Sequence, residues 1–338
     1  MEKQTTYSIP EILQAVDESA IWVDLSAMGR LEASERDRLD LPNRLSTNKI
    51  DHLAEGQGLA TIFTTAIGRV IDRVVVLNHG QKALYITGAN RAERVSQWLN
   101  RNVFFNDEFQ LRDLSEVWSQ IGVMGDQSAG LLERWFPGAK DLPRYGSITA
   151  TVDDNSEGEL VLVRVPDIAS HTFWLLGPQA AIAKFAAQLN EAGAIPAGRE
   201  VYDYLRIQAR VPDIPELTED YIPLELGLWE DVSFNKGCYI GQEIIARMES
   251  RGKLAKMLVR VQSPVPLKPG ITLLSEQGAN AGTITSLASM AVPDENGYPG
   301  LAVVKSAFAN QETELYAETG QEKISVRLVG PAGTYMPK

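Results

Sequence analysis

A strand–strand–glycine–helix pattern occurs twice along this chain, and it narrows the possible folds more than any other feature. In the first copy, Val70 to Leu77 and Ala83 to Thr87 read as apolar strands and Gly88 turns the corner. Asn90-Arg91-Ala92-Glu93 then reads as a capping box opening a helix with Val95, Trp98 and Leu99 inward. In the second copy, Glu159 to Val165 and Thr172 to Leu176 are strands, and Gly177-Pro178 opens a helix with proline at its first position. Ile182, Phe185, Ala186 and Leu189 recur there at helical spacing before Gly193. Gly88 and Gly177 stand too far apart for a solenoid repeat. The pattern therefore predicts two related α+β half-domains whose sheets face one another across a cleft. Between them, Asp126 is expected to cap a short helix carrying Leu131, Leu132 and Trp135 inward and stopping at Pro137-Gly138. A short strand is expected over Ser147 to Val152.

Past Gly252 the character changes to short β-rich runs at Met257–Val261, Ile271–Leu274, Gly282–Leu287, Leu301–Val304, Thr313–Tyr316 and Ile324–Val329. Pro269-Gly270, Asn296-Gly297 and Thr319-Gly320 punctuate them, so a small antiparallel barrel or sandwich of about six strands is expected. The boundary falls near Arg251-Gly252, dividing a core over residues 1–251 from a C-terminal barrel over 252–338. A chain of 338 residues suits two or three such units.

No apolar run approaches the roughly 18 residues of a membrane-spanning helix. The segment Met1 to Tyr7 has neither a secretion-signal nor a transit-peptide profile. The lone Cys238 cannot close an internal disulfide, and with His52, His79 and His171 dispersed it makes neither a tetrahedral metal site nor a Cys/His catalytic pair by sequence. A cytoplasmic protein with no membrane partner and no resident metal is expected. Lys plus Arg number 32 against 44 Asp plus Glu, a net charge of −12, which argues against broad attraction to nucleic acid. The one local exception is Arg247, Arg251, Lys253, Lys256 and Arg260, which on charge alone reads equally as an anion site or as a solvated face.

The segment Lys236-Gly237-Cys238-Tyr239-Ile240-Gly241-Gln242-Glu243 packs two glycines, a thiol, a cation, an amide and a carboxylate into eight positions. A tight strand-to-helix turn explains it as well as a ligand site does. In the turn reading Gln242 and Glu243 cap a helix over Ile244 to Glu249. The string resembles the Lys-Gly-Cys-Tyr/Phe-x-Gly-Gln-Glu signature of the YgfZ-type folate-binding proteins, a branch related to the T-protein (aminomethyltransferase) of the glycine cleavage system. Asp24-Leu25-Ser26, Gly29-Arg30-Leu31, Asp37-Arg38, Thr47-Asn48, Gly68 to Asp72, Leu205-Arg206-Ile207 and Gly282 to Ser286 follow in family order. The likeness thus runs over roughly residues 20 to 330.

That resemblance implies a T-protein-like ring: two ferredoxin-like half-domains and the barrel around a central channel for tetrahydrofolate or a one-carbon-substituted folate. It implies an accessory role in maturing or repairing iron-sulfur proteins, including enzymes that thiolate tRNA, with iron-sulfur assembly or client proteins as partners. Candidate folate contacts are Asn48, Asp72, Gln208, Lys236, Gly237, Tyr239, Gly241, Gln242 and Glu243, with Arg247 and Arg251 for a glutamylated tail. Cys238 and Asp72 are the candidate catalytic residues. Lys236 and the following helix N-terminus would favour the Cys238 thiolate. Trp22, Trp229 and Tyr239 are aromatics that either stack on a pterin or fill a core.

Two departures stand out. Aminomethyltransferases usually carry paired aspartates where this chain has Asp72-Arg73, so a guanidinium replaces an acid needed near the folate nitrogen, and an accessory protein is expected over an enzyme. Gln208 stands where both branches typically have Glu, which weakens the expected grip on the pterin's donor edge. The competing readings are a folate-dependent aminomethyltransferase and a tRNA-modification factor; direct nucleic-acid binding is not expected.

Overall fold

The computed structural model describes residues 7–151, 158–290, 297–309, 313–319 and 322–331. Among the described residues eleven strands precede the barrel: β1 (Ile21–Asp24), β2 (Met28–Ser34), β3 (Gly58–Thr64), β4 (Val70–His79), β5 (Lys82–Ala89), β6 (Gln110–Asp113), β7 (Trp118–Gly125), β8 (Ser147–Ala150), β9 (Leu160–Val165), β10 (His171–Pro178) and β11 (Ile195–Ala197). They form two sheets, ordered β3-β4-β5-β2-β6 and β11-β1-β7-β10-β9-β8. All pairs are antiparallel except β1 with β11.

The apolar run of β4 needs burial on both faces, and it has it. Val75 and Leu77 join Ile86 in a core shared with Val161, Val163 and Leu176 of the second sheet. Val74 and Val76 join Tyr85 on the opposite side, under helices α2 (Asp40–Leu45) and α3 (Ala92–Arg101). The second sheet is backed in the same manner by α4 (Ser128–Leu132) and α5 (Gln179–Glu191), through Leu132, Ile182, Phe185 and Leu189. The two copies read in sequence are thus β4-β5-α3 and β9-β10-α5, but they interlace. β1 enters the second sheet before β2 enters the first.

The helix starts differ from the sequence expectation. Asn90 takes a left-handed φ of 58° and its N–H donates to the Ala27 carbonyl, so α3 opens at Ala92 with Arg91 at its N-cap and no side-chain cap. Pro178 is the N-cap of α5 and ends β10 instead of opening the helix. Gln127, not Asp126, precedes α4, which ends at Leu132, ahead of Pro137-Gly138. The strand expected through Val152 runs to Ala150; Val152 lies outside the described residues.

Two further helices matter to the site, α6 (Arg199–Gln208) and α7 (Gln242–Arg251). The barrel follows as β12 (Lys256–Ser263), β13 (Thr272–Ser275), β14 (Asn280–Leu287), β15 (Tyr298–Lys305), β16 (Glu314–Thr319) and β17 (Glu322–Pro331), closed in the order β12-β15-β14-β13-β16-β17. Closure, not a sandwich, is the outcome, with Val259, Leu273, Ile284, Val304 and Val326 filling the interior. Arg206 of α6 ties the core to the barrel by donating to Ser286 Oγ at 2.9 Å, and Ser286 donates on to the fully buried Glu216 at 2.6 Å. Among the described residues no helix is long and apolar enough to cross a membrane.

Candidate functional site: a polar cavity between the two sheets

Where the facing sheets meet the segment after α6, they enclose a cavity of about 260 Å³. Arg73 of β4, Trp174 of β10, Tyr202 of α6, and Arg210, Leu228 and Asp231 of the later loops all line it. A smaller chamber of about 60 Å³ shares Arg73, Trp174 and Tyr202 and reaches inward to Gly88 and Arg206. The combination of aromatic walls with a few converging charges is that of a small-molecule site.

Asp72 sits directly behind Gly88, where the pairing of β3 with β4 shifts register. A Cβ at Gly88 would stand 2.9 Å from Asp72 Oδ1, so the missing side chain is what admits the carboxylate under this corner. Asp72 is fully buried. Its Oδ2 accepts the Gly88 N–H at 3.0 Å, while its buried Oδ1 has no hydrogen bond. Burial pushes its pKa up to about 6, against the opposing pull of the Gly88 N–H and the Arg91 charge.

Arg73 turns the other way, into the cavity. Its Nε donates to Asp231 Oδ2 at 2.6 Å, and Nη2 donates to Tyr145 Oη at 2.8 Å and Asp231 Oδ1 at 3.4 Å. Burial opposes its charge, yet Asp231 and then Tyr145 more than offset this and raise its pKa. Tyr145 adopts a φ of 60°, a strained conformation for a tyrosine, held by its N–H bond to the Arg164 carbonyl at 2.7 Å. Beside it Arg144 lies 5.2 Å over the Tyr145 ring and pairs with Glu230.

Asn48 shapes this cluster from outside the cavity. Its amide donates to the Ala60 carbonyl at 3.0 Å and the Glu230 carbonyl at 3.1 Å, while Thr47 Oγ1 donates to the Asp231 carbonyl at 2.6 Å. Lys236 in turn gathers that loop. Its Nζ donates to the carbonyls of Asn43, Ser46 and Asn48 at 2.6, 2.8 and 2.6 Å, and burial pushes its pKa down to about 8.

None of the octapeptide's residues is among those lining this cavity or the chamber behind it. Tyr239 is buried among Ile222, Leu224, Val232 and Ile245, and its phenol is pushed up to about 12 by burial. Gly241, at a φ of 84°, lies against the β3–β4 turn, where a Cβ would stand 2.7 Å from the Thr65 carbonyl oxygen; Thr64 Oγ1 donates to the Ile240 carbonyl at 2.6 Å. Gly241 is also the N-cap of α7, so Gln242 and Glu243 begin the helix and do not cap it. Gly237 and Cys238 are exposed, with nothing within 4 Å of a Cβ placed at Gly237.

The remaining expected contacts are held elsewhere. Gln208, at the last turn of α6, accepts from Arg260 of the barrel at 2.6 Å and donates to Tyr204 Oη at 3.0 Å, outside the cavity lining. Arg247 pairs with Glu243 at 2.8 Å on the surface of α7, Lys256 lies over the Tyr221 ring, and Arg251 is exposed beyond the cavity. The basic run is therefore dispersed. Trp174, Tyr202, Tyr145 and Asp231 are the lining or supporting residues that sequence reading missed. Arg73 within an apolar strand was the available signal, since a cation there requires a buried acid. Nothing in the sequence places that acid at Asp231.

The solved aminomethyltransferase T of the glycine cleavage system from Bartonella henselae shares this architecture. It matches with a TM-score of 0.81 over 94% of this chain and 87% of its own, at 18% identity, which places the fold in the T-protein class. Residues 3–236 match the GCVT N-terminal domain family, and the chain belongs to that family. A chloroplastic protein of Arabidopsis thaliana, named as an inferred transferase, is 30% identical over 303 residues, covering 89% of this chain and 68% of its own. An aminomethyltransferase of Leptospira biflexa is 26% identical over 336 residues, covering 96% and 89%.

Proposed function

We propose that this protein holds a reduced folate in the cavity between its sheets and serves, like the YgfZ-type branch it resembles, as an accessory factor for iron-sulfur proteins. The observation that carries the reading is the Asp72-Arg73 pair beside the cavity. One acid is buried with a free acceptor atom, and the next position is an arginine locked to Asp231.

A reduced folate suits these residues. Trp174 and Tyr202 give a pterin aromatic walls, the Tyr202 ring already carrying Arg199 4.7 Å over it. Asp72 Oδ1 is an acceptor for a donor edge reaching past Gly88, and Arg144 and Arg210 bring cations for a carboxylate tail. Bound there, the folate would carry a one-carbon unit. Asp72 would hold or release a proton near neutral pH, and Arg73 would fix donors without accepting a proton. A guanidinium in that place works against accepting an aminomethyl group. Cys238, exposed on the surface before α7, is the group a client protein or its cluster would reach.

Aminomethyl transfer is the second reading, favoured by the names of the relatives that span nearly the whole chain. Two assays separate them. In cells lacking the parent gene, the Cys238→Ala protein should fail to restore iron-sulfur enzyme activity, including tRNA thiolation. The purified parent should form no methylenetetrahydrofolate from an aminomethyl donor. Full rescue by the alanine protein, or turnover at the rate of an aminomethyltransferase, would contradict the accessory reading.

A further inference from the structure

Arg73 is only partly occupied by the protein. Nε and Nη2 are bonded to Asp231 and Tyr145, whereas among the described residues no hydrogen bond engages Nη1. Nη1 is also absent from the buried side-chain atoms that lack a partner. Arg73 lines both the main cavity and the inner chamber, so Nη1 is the guanidinium nitrogen left for a ligand in that space.

The acceptors next to this fork are already engaged. Asp231 already takes bonds from Arg73 on both oxygens, Glu230 holds Arg144, and the Tyr145 oxygen accepts from Arg73 while keeping its own O–H as a further donor. The charge of Arg73 is balanced by Asp231, so the vacancy calls for a neutral acceptor oxygen more than for a second anion. At the nitrogens that carry the one-carbon unit, unsubstituted tetrahydrofolate offers N–H donors, and a methyl substituent brings no polar atom; the pterin and benzamide carbonyls are common to all three folates and do not discriminate among them. A formyl substituent brings one carbonyl oxygen.

We propose that Arg73 Nη1 is the specificity-determining donor of the cavity and selects a folate whose one-carbon unit is a formyl group. This rests on the folate reading above and adds the substituent to it. The test is calorimetric titration of the full chain with 5-formyltetrahydrofolate, tetrahydrofolate and 5-methyltetrahydrofolate. The formyl compound should bind about tenfold or more tightly than either other. Arg73→Lys keeps the charge but not the fork, and should bring the ratio close to one. Should that protein fail to fold, Arg73→Met with Asp231→Asn removes both charges together and should collapse the ratio likewise. Equal binding of the three folates by the parent, or a preference that survives in the variants, overturns the formyl assignment alone. Binding of none of them removes it together with the folate reading.

Discussion

Burial makes the surroundings of Asp72 unfavourable to its own charge, and this makes a sharp prediction. Folded, it keeps its proton up to about pH 6; unfolded, it releases it near 3.8. Its contribution to stability is therefore fully present below about pH 4 and is lost as pH rises through about 6. Asp72→Asn should be more stable than the parent at pH 7.5, by about 1–3 kcal/mol in denaturant unfolding, with the gain shrinking toward zero between pH 6 and 4. A difference that stays constant over that range would mean the carboxylate is not buried as described. An acid kept at such a cost beside a cavity suits function better than packing. Its neighbour Arg73 shows what sequence can and cannot supply: the arginine is visible in the strand, its acid partner is not.

At the scale of elements, strands were easier to read than helix starts. Strand runs announce themselves by apolar continuity, and all six barrel strands fall where turn residues separate such runs. Helix starts depend on single φ values, and Asn90 and Gly241 in the left-handed region moved two of them. The octapeptide reads in structure as a clamp: Lys236 gathers three carbonyls and Gly241 lets the chain meet the β3–β4 turn. Its two glycines should therefore behave differently. Gly241→Ala, strained at its φ and crowded by the Thr65 and Gly68 backbone, should lower stability by about 2 kcal/mol or more. Gly237→Ala, with open space around it, should change stability by less than about 0.5 kcal/mol. Equal losses at both would refute the clamp.

At the scale of the molecule, the duplicated layout was legible because each copy carries its own period of apolar residues and its own corner glycine. The interlacing was not. β1 pairs with β7 and β11, strands far along the chain, and no local pattern encodes such pairing. The cavity was hidden for the same reason, since its lining joins Arg73, Tyr202 and Asp231 with Trp174 from the facing sheet. The central claim is that a reduced folate occupies this space. It is tested most directly by calorimetric titration with tetrahydrofolate of the parent and of Ala209→Trp, which enlarges a small residue of the cavity lining just past the end of α6. The parent should bind, and the tryptophan variant, with its unfolding midpoint retained, should lose at least about tenfold in affinity. No heat of binding from the parent, or equal affinity in the two proteins, would contradict the account.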